Sequence, residues 1–289
     1  AGGEGGPSTR TQPLNAMDLI RSGTTTVVGL LGTDGYTRSL VDLLFHIRKL
    51  KNSGLNAFML TGSYQVPGPT LTGSIARDIL LINEIVGVKI ALSDHRSSYP
   101  SFEKLVSLTS EARVSGMLSN KPGYVHVHMG DGKDMFNPIY EVIEKTDIPI
   151  KQFLPTHVDR NPELMNEAIK FAMKGGNIDI TAHENKSVEN IKFMLSMGVN
   201  PENITVSTDG NGSMPKFDDQ GNLIDLKISP HDTILKIFQD VFIKNDDFSI
   251  KFLKMVTENP AKRLNIKKGR IEKGYDADLL DFDQELNLI

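Results

Sequence analysis

Apolar, β-branched runs recur along the chain, each closing on polar residues and each followed by a stretch of helical length. Seven are evident: TTTVVGLLG (24–32), NAFMLTG (56–62), GVKIALSD (87–94), GYVHVHMG (123–130), IKQFLPTH (150–157), NIDITAHE (177–184) and NITVSTDG (203–210). Between them lie helix candidates such as RSLVDLLFHIRKLKNSG and PELMNEAIKFAMKGG. The second is apolar at Leu164, Ala168, Ile169, Ala172 and Met173, which is a helical period, and Gly175 falls where a C-terminal glycine belongs. Strand, helix, strand at a spacing of about 30 residues predicts βαβ units and a parallel sheet.

Two α/β architectures compete for this pattern, a closed (β/α)8 barrel and an open doubly wound sheet. The strand ends decide between them. Nearly every run finishes in chemically capable residues: Thr33 and Asp34, Thr61 to Tyr64, Asp94 to Arg96, His128, His157 and Asp209. A barrel gathers all its C-terminal strand ends on one rim around an active site. An open sheet concentrates such residues at one switch point and usually carries a Gly-rich phosphate loop after its first strand, which GLLGTDG does not match. The expectation is therefore a TIM-like barrel, with one strand fewer than the eight a barrel requires.

Composition narrows the chemistry more than the fold. The 289 residues are 39% hydrophobic and 24% charged, with a net charge of −4, so nothing electrostatic suggests nucleic acid or an anionic membrane as partner. No apolar run approaches the roughly 20 residues of a bilayer span. The opening AGGEGGPSTRTQP has neither the basic nor the apolar region of a signal peptide, and a cytoplasmic enzyme is the expectation. Cysteine is absent, so any metal must take histidine, carboxylate or modified-lysine ligands.

GYVHVHMGD therefore raises a question of its own. Alternate residues of a strand share a face, so His126 and His128 are placed to hold one ion, or one of them is a ligand and the other its neighbour. The strand ends also present Lys89, His157 and Asp209. A lysine is an odd companion for metal ions unless its pKa falls, because the neutral amine captures carbon dioxide as a carbamate. His46, His183 and His231 read as structural.

Several motifs carry a resemblance. TENPAKRLNI followed by KGRIEKGYDADLLDFD resembles the amidohydrolase superfamily, where this helix returns to a small β-sandwich. GGEGGPSTRT, VVGLLGTDGYTRS, MLTGSYQVPGPTLTGS, GVKIALSDHRS, HMGD, LPTHVDRN and STDGNGSMP, in that order, resemble the isoaspartyl (β-aspartyl) dipeptidase family within it, over essentially the whole chain. The resemblance implies a barrel over residues 1–264, holding strands two to eight, and the start of a C-terminal β-sandwich segment at 265–289. The first strand, the N-terminal half of the sandwich and a His-x-His metal pair are expected upstream of Ala1. The 289 residues alone would then lack two metal ligands and are expected to be inactive or unstable, whereas a longer protein that contains them is expected to be the active enzyme.

By the same resemblance, His128 is the ligand and His126 its neighbour. Two Zn2+ ions are expected, bridged by N6-carboxylated Lys89, with His128, His157 and Asp209 as further ligands. The implied reaction is hydrolysis of the β-linked amide of isoaspartyl dipeptides by a hydroxide between the metals, with Asp209 moving the protons and Tyr64 polarising the scissile carbonyl. Glu4 and Ser213 would hold the substrate α-ammonium, Thr33 and the Gly2 backbone the aspartyl α-carboxylate, and Arg96 and Arg160 the leaving-group carboxylate. A homo-oligomer is implied too, with an octamer as the form the family suggests. Two rivals stand beside this reading. One is a dihydroorotase- or hydantoinase-like cyclic amidase, and the other a non-catalytic amidohydrolase-like scaffold.

Overall fold

A computed structural model describes residues 5–184, 186–220, 222–244 and 247–289. Among these residues, one parallel sheet takes its seven strands in chain order: β1 (Thr26–Gly29), β2 (Asn56–Gly62), β3 (Ile85–Leu92), β4 (Tyr124–Met129), β5 (Phe153–Thr156), β6 (Ile178–Thr181) and β7 (Ile204–Ser207). Each lies within or overlaps one of the seven apolar runs. Helices α1 (Ala16–Arg21), α2 (Leu40–Asn52), α3 (Ile75–Leu81), α4 (Phe102–Ser119), α5 (Asn137–Lys145), α6 (Pro162–Met173) and α7 (Ser187–Ser196) fill the first half of the pattern and the crossovers. Helices α8 (Thr233–Lys244), α9 (Asp247–Val256) and α10 (Glu258–Leu264) follow the last parallel strand. The sheet curls as a barrel wall does, with each strand paired to the next in sequence.

The two faces of this wall differ in chemistry, which is the consequence of a period of two along each strand. Val125, Val127, Met129, Ile178, Ile180, Ile204 and Val206 point outward into the main core beneath the helices. The alternate residues line the inner face, and near the strands' C-terminal ends they are polar. Lys89 sits level with His126, and Ala91 with His128. At the other end the inner face is apolar, where Leu60, Val86, Tyr124 and Leu154 pack against Leu264 and Ile266, which follow from α10. All eight residues of β3 are buried, as expected for a parallel strand covered on both faces.

The helix α6 ends as its sequence implies. Gly175 takes φ 91° beyond the helix and its N–H meets the Ala172 carbonyl at 2.9 Å. One element lies outside the sequence expectation. Strands β8 (Ser213–Phe217) and β9 (Leu223–Ile228) form an antiparallel hairpin directly after β7. The Asp218 carboxylate organises its turn, accepting from the N–H groups of Gln220 (3.0 Å) and Asn222 (2.8 Å). Nearly all of β9 is exposed, so no buried face wrote an alternating pattern into the sequence.

Residues 265–289 form turns and a single antiparallel bridge, Phe282 to Leu288. This segment is tied to the barrel by Arg270 to Glu258 (2.7 Å) and Asn56 to Asp278 (2.7 Å), and Phe282 stacks on Phe238 of α8. Among the described residues no helix is long and apolar enough to cross a membrane.

Candidate active site

The C-terminal ends of β2 to β7 bring most of the expected residues together. Lys89 projects from β3 and is 2% exposed. Its burial outweighs the pull of the Asp209 and Asp179 carboxylates and lowers its amine to a pKa of about 7. An amine in that range is half neutral near pH 7, the state a carbamate requires. His126 lies in register with Lys89, and its Nδ1 is buried with no hydrogen-bond partner among the described residues. Burial, with Lys89 and His128 alongside, keeps its imidazole neutral.

His128 is buried at the end of β4, and both of its ring nitrogens are engaged. The Tyr64 hydroxyl lies 2.7 Å from Nδ1, and an Asp94 carboxylate oxygen lies 2.9 Å from Nε2. Burial dominates and drives its pKa to about 3, so the ring is neutral. Tyr64 sits in the loop after β2, its ring 4.4 Å from that of His128, with Lys89 Nζ 5.8 Å from the ring centroid and the Arg96 guanidinium 5.3 Å. Burial pushes the Tyr64 hydroxyl well above its ordinary range, which keeps it a proton donor.

His157 and Asp209 stand on turns one or two residues past their strands. Both have left-handed backbones, φ 62° and 46°. Non-glycine residues in that region cost of the order of 1–3 kcal/mol and are held there only by their surroundings. The His157 ring packs edge-on to His128 with centroids 4.6 Å apart, and its Nδ1 meets the Thr181 hydroxyl at 2.6 Å, which directs Nε2 elsewhere. Asp209 opens the turn into the β8–β9 hairpin, where Gly212 donates its N–H to the Asp209 carbonyl at 3.2 Å.

The expected substrate arms are arranged around this cluster. Arg96 grips Asp94 with Nε on one oxygen and Nη2 on the other, both at 2.8 Å. The exposed Arg160 brings Nη2 within 3.5 Å of His128 Nε2. Thr33 lies in the loop after β1 and Ser213 opens β8, both half-buried. Gly2 and Glu4 fall outside the described residues. Of the histidines read as structural, His46 and His231 are half-buried and His183 is exposed.

Three residues that received no role from the sequence belong to this constellation. Asp94 meets His128 and Arg96 at once. Thr181 orients His157. Asp179 is fully buried on β6 and accepts from three hydroxyls: Thr156 (2.8 Å), Thr205 (2.7 Å) and Ser207 (2.7 Å). Burial is the larger influence on Asp179 and raises its carboxyl to about 6 against those hydrogen bonds. Strand register could have found Asp179, because its three partners sit on the inner faces of β5 and β7 beside it.

Among the described residues, no group of three or more His, Cys, Asp or Glu is arranged to hold a metal ion by itself. The donor set nevertheless suits divalent ions once Lys89 is counted. It comprises a lysine whose amine burial shifts toward neutrality, two neutral imidazoles and a carboxylate, and the buried His126 Nδ1 lies on the next strand in register with Lys89.

Comparison with known proteins shows what the chain resembles. The sequence profile of the amidohydrolase family matches residues 9–288. A crystal structure of β-aspartyl dipeptidase from the thermophilic, keratin-degrading Fervidobacterium islandicum AW-1, in complex with the β-Asp-Leu dipeptide, is 44% identical. It covers 100% of this chain and 76% of that one, with a TM-score of 0.94. A second structure of β-aspartyl dipeptidase from the same organism is 41% identical over the same shares, with a TM-score of 0.90. An amidohydrolase from Mycoplasma synoviae, 16% identical over 91% of this chain and 83% of its own, shares the fold with a TM-score of 0.58.

Proposed function

The chain belongs to the amidohydrolase family, and from that premise we propose that it hydrolyses the β-linked amide of isoaspartyl dipeptides. The observation that carries the reading is 44% identity along the whole chain to a dipeptidase crystallised with β-Asp-Leu. The cluster of Lys89, Tyr64, His128, His157 and Asp209 at one end of the barrel supports it.

Lys89, carboxylated on its amine, would hold two Zn2+ ions together with His128, His157 and Asp209. When bound, such ions supply Lewis acidity and lower the pKa of a water toward about 7. The chain's own residues do the remaining work. The Tyr64 O–H, kept protonated by burial, donates to the scissile carbonyl oxygen as charge develops there. The Asp209 carboxylate takes the proton from the attacking water and returns it to the leaving amine. Arg160 and Arg96 face the carboxylate of the leaving residue, because a guanidinium fork suits a carboxylate. Thr33 and the Gly2 backbone receive the aspartyl α-carboxylate, and Glu4 with Ser213 the α-ammonium. The barrel at 1–264, the sandwich segment at 265–289 and a homo-oligomeric assembly belong to the same proposal.

Two substrates test it. The whole protein, purified and supplied with Zn2+ and bicarbonate, is expected to release aspartate and leucine from β-Asp-Leu and to leave dihydroorotate unchanged. Turnover of dihydroorotate without β-Asp-Leu hydrolysis would favour the cyclic amidase instead.

A further inference from the structure

Asp94 is a heavily used carboxylate in the barrel mouth. It follows β3, is 1% exposed, and collects four donors: the Arg96 N–H (2.8 Å), Arg96 Nε (2.8 Å), Arg96 Nη2 (2.8 Å) and His128 Nε2 (2.9 Å). The backbone around it is built for this. Ser93 takes a left-handed φ of 52° and fixes the turn by donating its hydroxyl to the Met135 carbonyl at 2.7 Å. The loop after β4 then presses on that turn. The Gly130 N–H meets the Leu92 carbonyl at 3.0 Å, and a Cβ on Gly130 would come within 2.5 Å of the Asp94 Cα. The glycines of HMGDG therefore admit the Asp94 turn beside His128.

Three groups approach His128 Nε2: the Asp94 oxygen at 2.9 Å, Arg96 Nη2 at 3.3 Å and Arg160 Nη2 at 3.5 Å. An imidazole nitrogen without a proton would set its lone pair against the nearest of these, an anionic oxygen. Nε2 therefore carries the proton and donates to Asp94, and the lone pair sits on Nδ1. Nδ1 is the nitrogen that faces Tyr64 at 2.7 Å, where the phenol O–H donates to it. One carboxylate thus selects the tautomer of His128 and holds the guanidinium of Arg96 in a fixed plane.

We propose that Asp94 is a positioning residue that couples the metal side of the site to its substrate side. Through His128 it keeps the proton off Nδ1, whose lone pair passes to a metal ion when the Tyr64 O–H turns from it to the scissile carbonyl, and through Arg96 it sets the arm that meets the leaving-group carboxylate. This rests on the dipeptidase reading only for the Arg96 half, since the tautomer of His128 is independent of any substrate. A plain structural ion pair would hold Arg96 equally well but would have no bearing on which His128 nitrogen is protonated.

The Asp94→Asn variant separates the two. An asparagine offers one acceptor, and with that oxygen on Arg96 its NH2 faces His128 Nε2, which then needs a lone pair. The expected result is a switch of the His128 tautomer from Nε2–H to Nδ1–H in metal-free protein, read by 15N NMR of the imidazoles. Zn2+ affinity, measured by competition with a chromogenic chelator, is expected to fall by about 10–100-fold. KM for β-Asp-Leu is expected to rise as the Arg96 arm loosens. A folded Asp94→Asn protein with the Nε2–H tautomer and unchanged Zn2+ affinity would overturn the proposal. The wild-type protein supplies a second test if the variant does not fold, because His128 must then show Nε2–H and Nδ1–H would refute the assignment. Failure of wild-type protein to hydrolyse β-Asp-Leu would count against the dipeptidase reading while leaving the tautomer and Zn2+ readouts to judge Asp94.

Discussion

The β3–β4 side of the barrel mouth and the β5–β7 side solve the same problem differently. On the first, Lys89 and His128 stand inside regular strands, deeply buried, and each His128 nitrogen already has a partner. On the second, His157 and Asp209 have left the ladder and sit on turns with positive φ. Strand geometry places a side chain by default, whereas a left-handed residue holds only where its surroundings over-determine it. The lesson is that the β3–β4 side is arranged before any ligand arrives. The β5–β7 side depends on local supports, chiefly the Thr181 hydroxyl on His157 and the Asp179 carboxylate that ties β5, β6 and β7 through three hydroxyls.

Substitutions on the turn-borne side test that dependence. Asp209→Asn removes the proposed proton carrier while keeping the shape of the side chain. We expect kcat for β-Asp-Leu to fall by about 10²–10⁴-fold with the thermal midpoint nearly unchanged, read from steady-state kinetics and calorimetry together. A drop smaller than tenfold would move proton transfer away from the turn after β7.

Asp179 yields a smaller effect with a definite sign. Its carboxyl titrates at about 6 in the folded chain and near 3.9 in an unfolded one. Between those values the folded state binds more protons, so unfolding free energy falls as pH rises through the window. The single-group contribution is about 3 kcal/mol. Urea titrations at pH 4, 5 and 6 are expected to show wild-type protein losing about 2 kcal/mol of it relative to Asp179→Asn across that range. A constant difference between the two proteins would mean that Asp179 is ionised across the range.

The smallest effect concerns one hydroxyl. Thr181→Val keeps the shape of the strand and takes away the partner of His157 Nδ1. Zn2+ affinity is expected to weaken by about 10–100-fold, with less change in KM. An unchanged affinity would show that the turn alone holds His157 and would erase the contrast between the two sides.

How much of this could be read without coordinates follows the same division. All seven parallel strands were legible because each buries an outward apolar face, and period two writes that into the residues. His128, His157 and Asp209 were legible as polar residues closing such runs and Lys89 as a charge within one, and the family resemblance supplied their expected roles. Asp94, Asp179 and Thr181 were not. Their meaning lies in pairings across strands: Asp94 to a histidine in the next strand, Asp179 to hydroxyls on both neighbouring strands, Thr181 to His157. Register decides such pairings, and no single segment contains it. The β8–β9 hairpin was hidden for a different reason, since an exposed strand buries no face.

The most direct test of the account compares two isomers. Aspartate release is followed from β-Asp-Leu and from α-linked Asp-Leu under identical conditions, with Zn2+ and bicarbonate present. The contacts proposed for an α-carboxylate, an α-ammonium and a leaving-group carboxylate predict rapid hydrolysis of the β-isomer and little of the α-isomer. Equal rates, or a preference for the α-linkage, would contradict it.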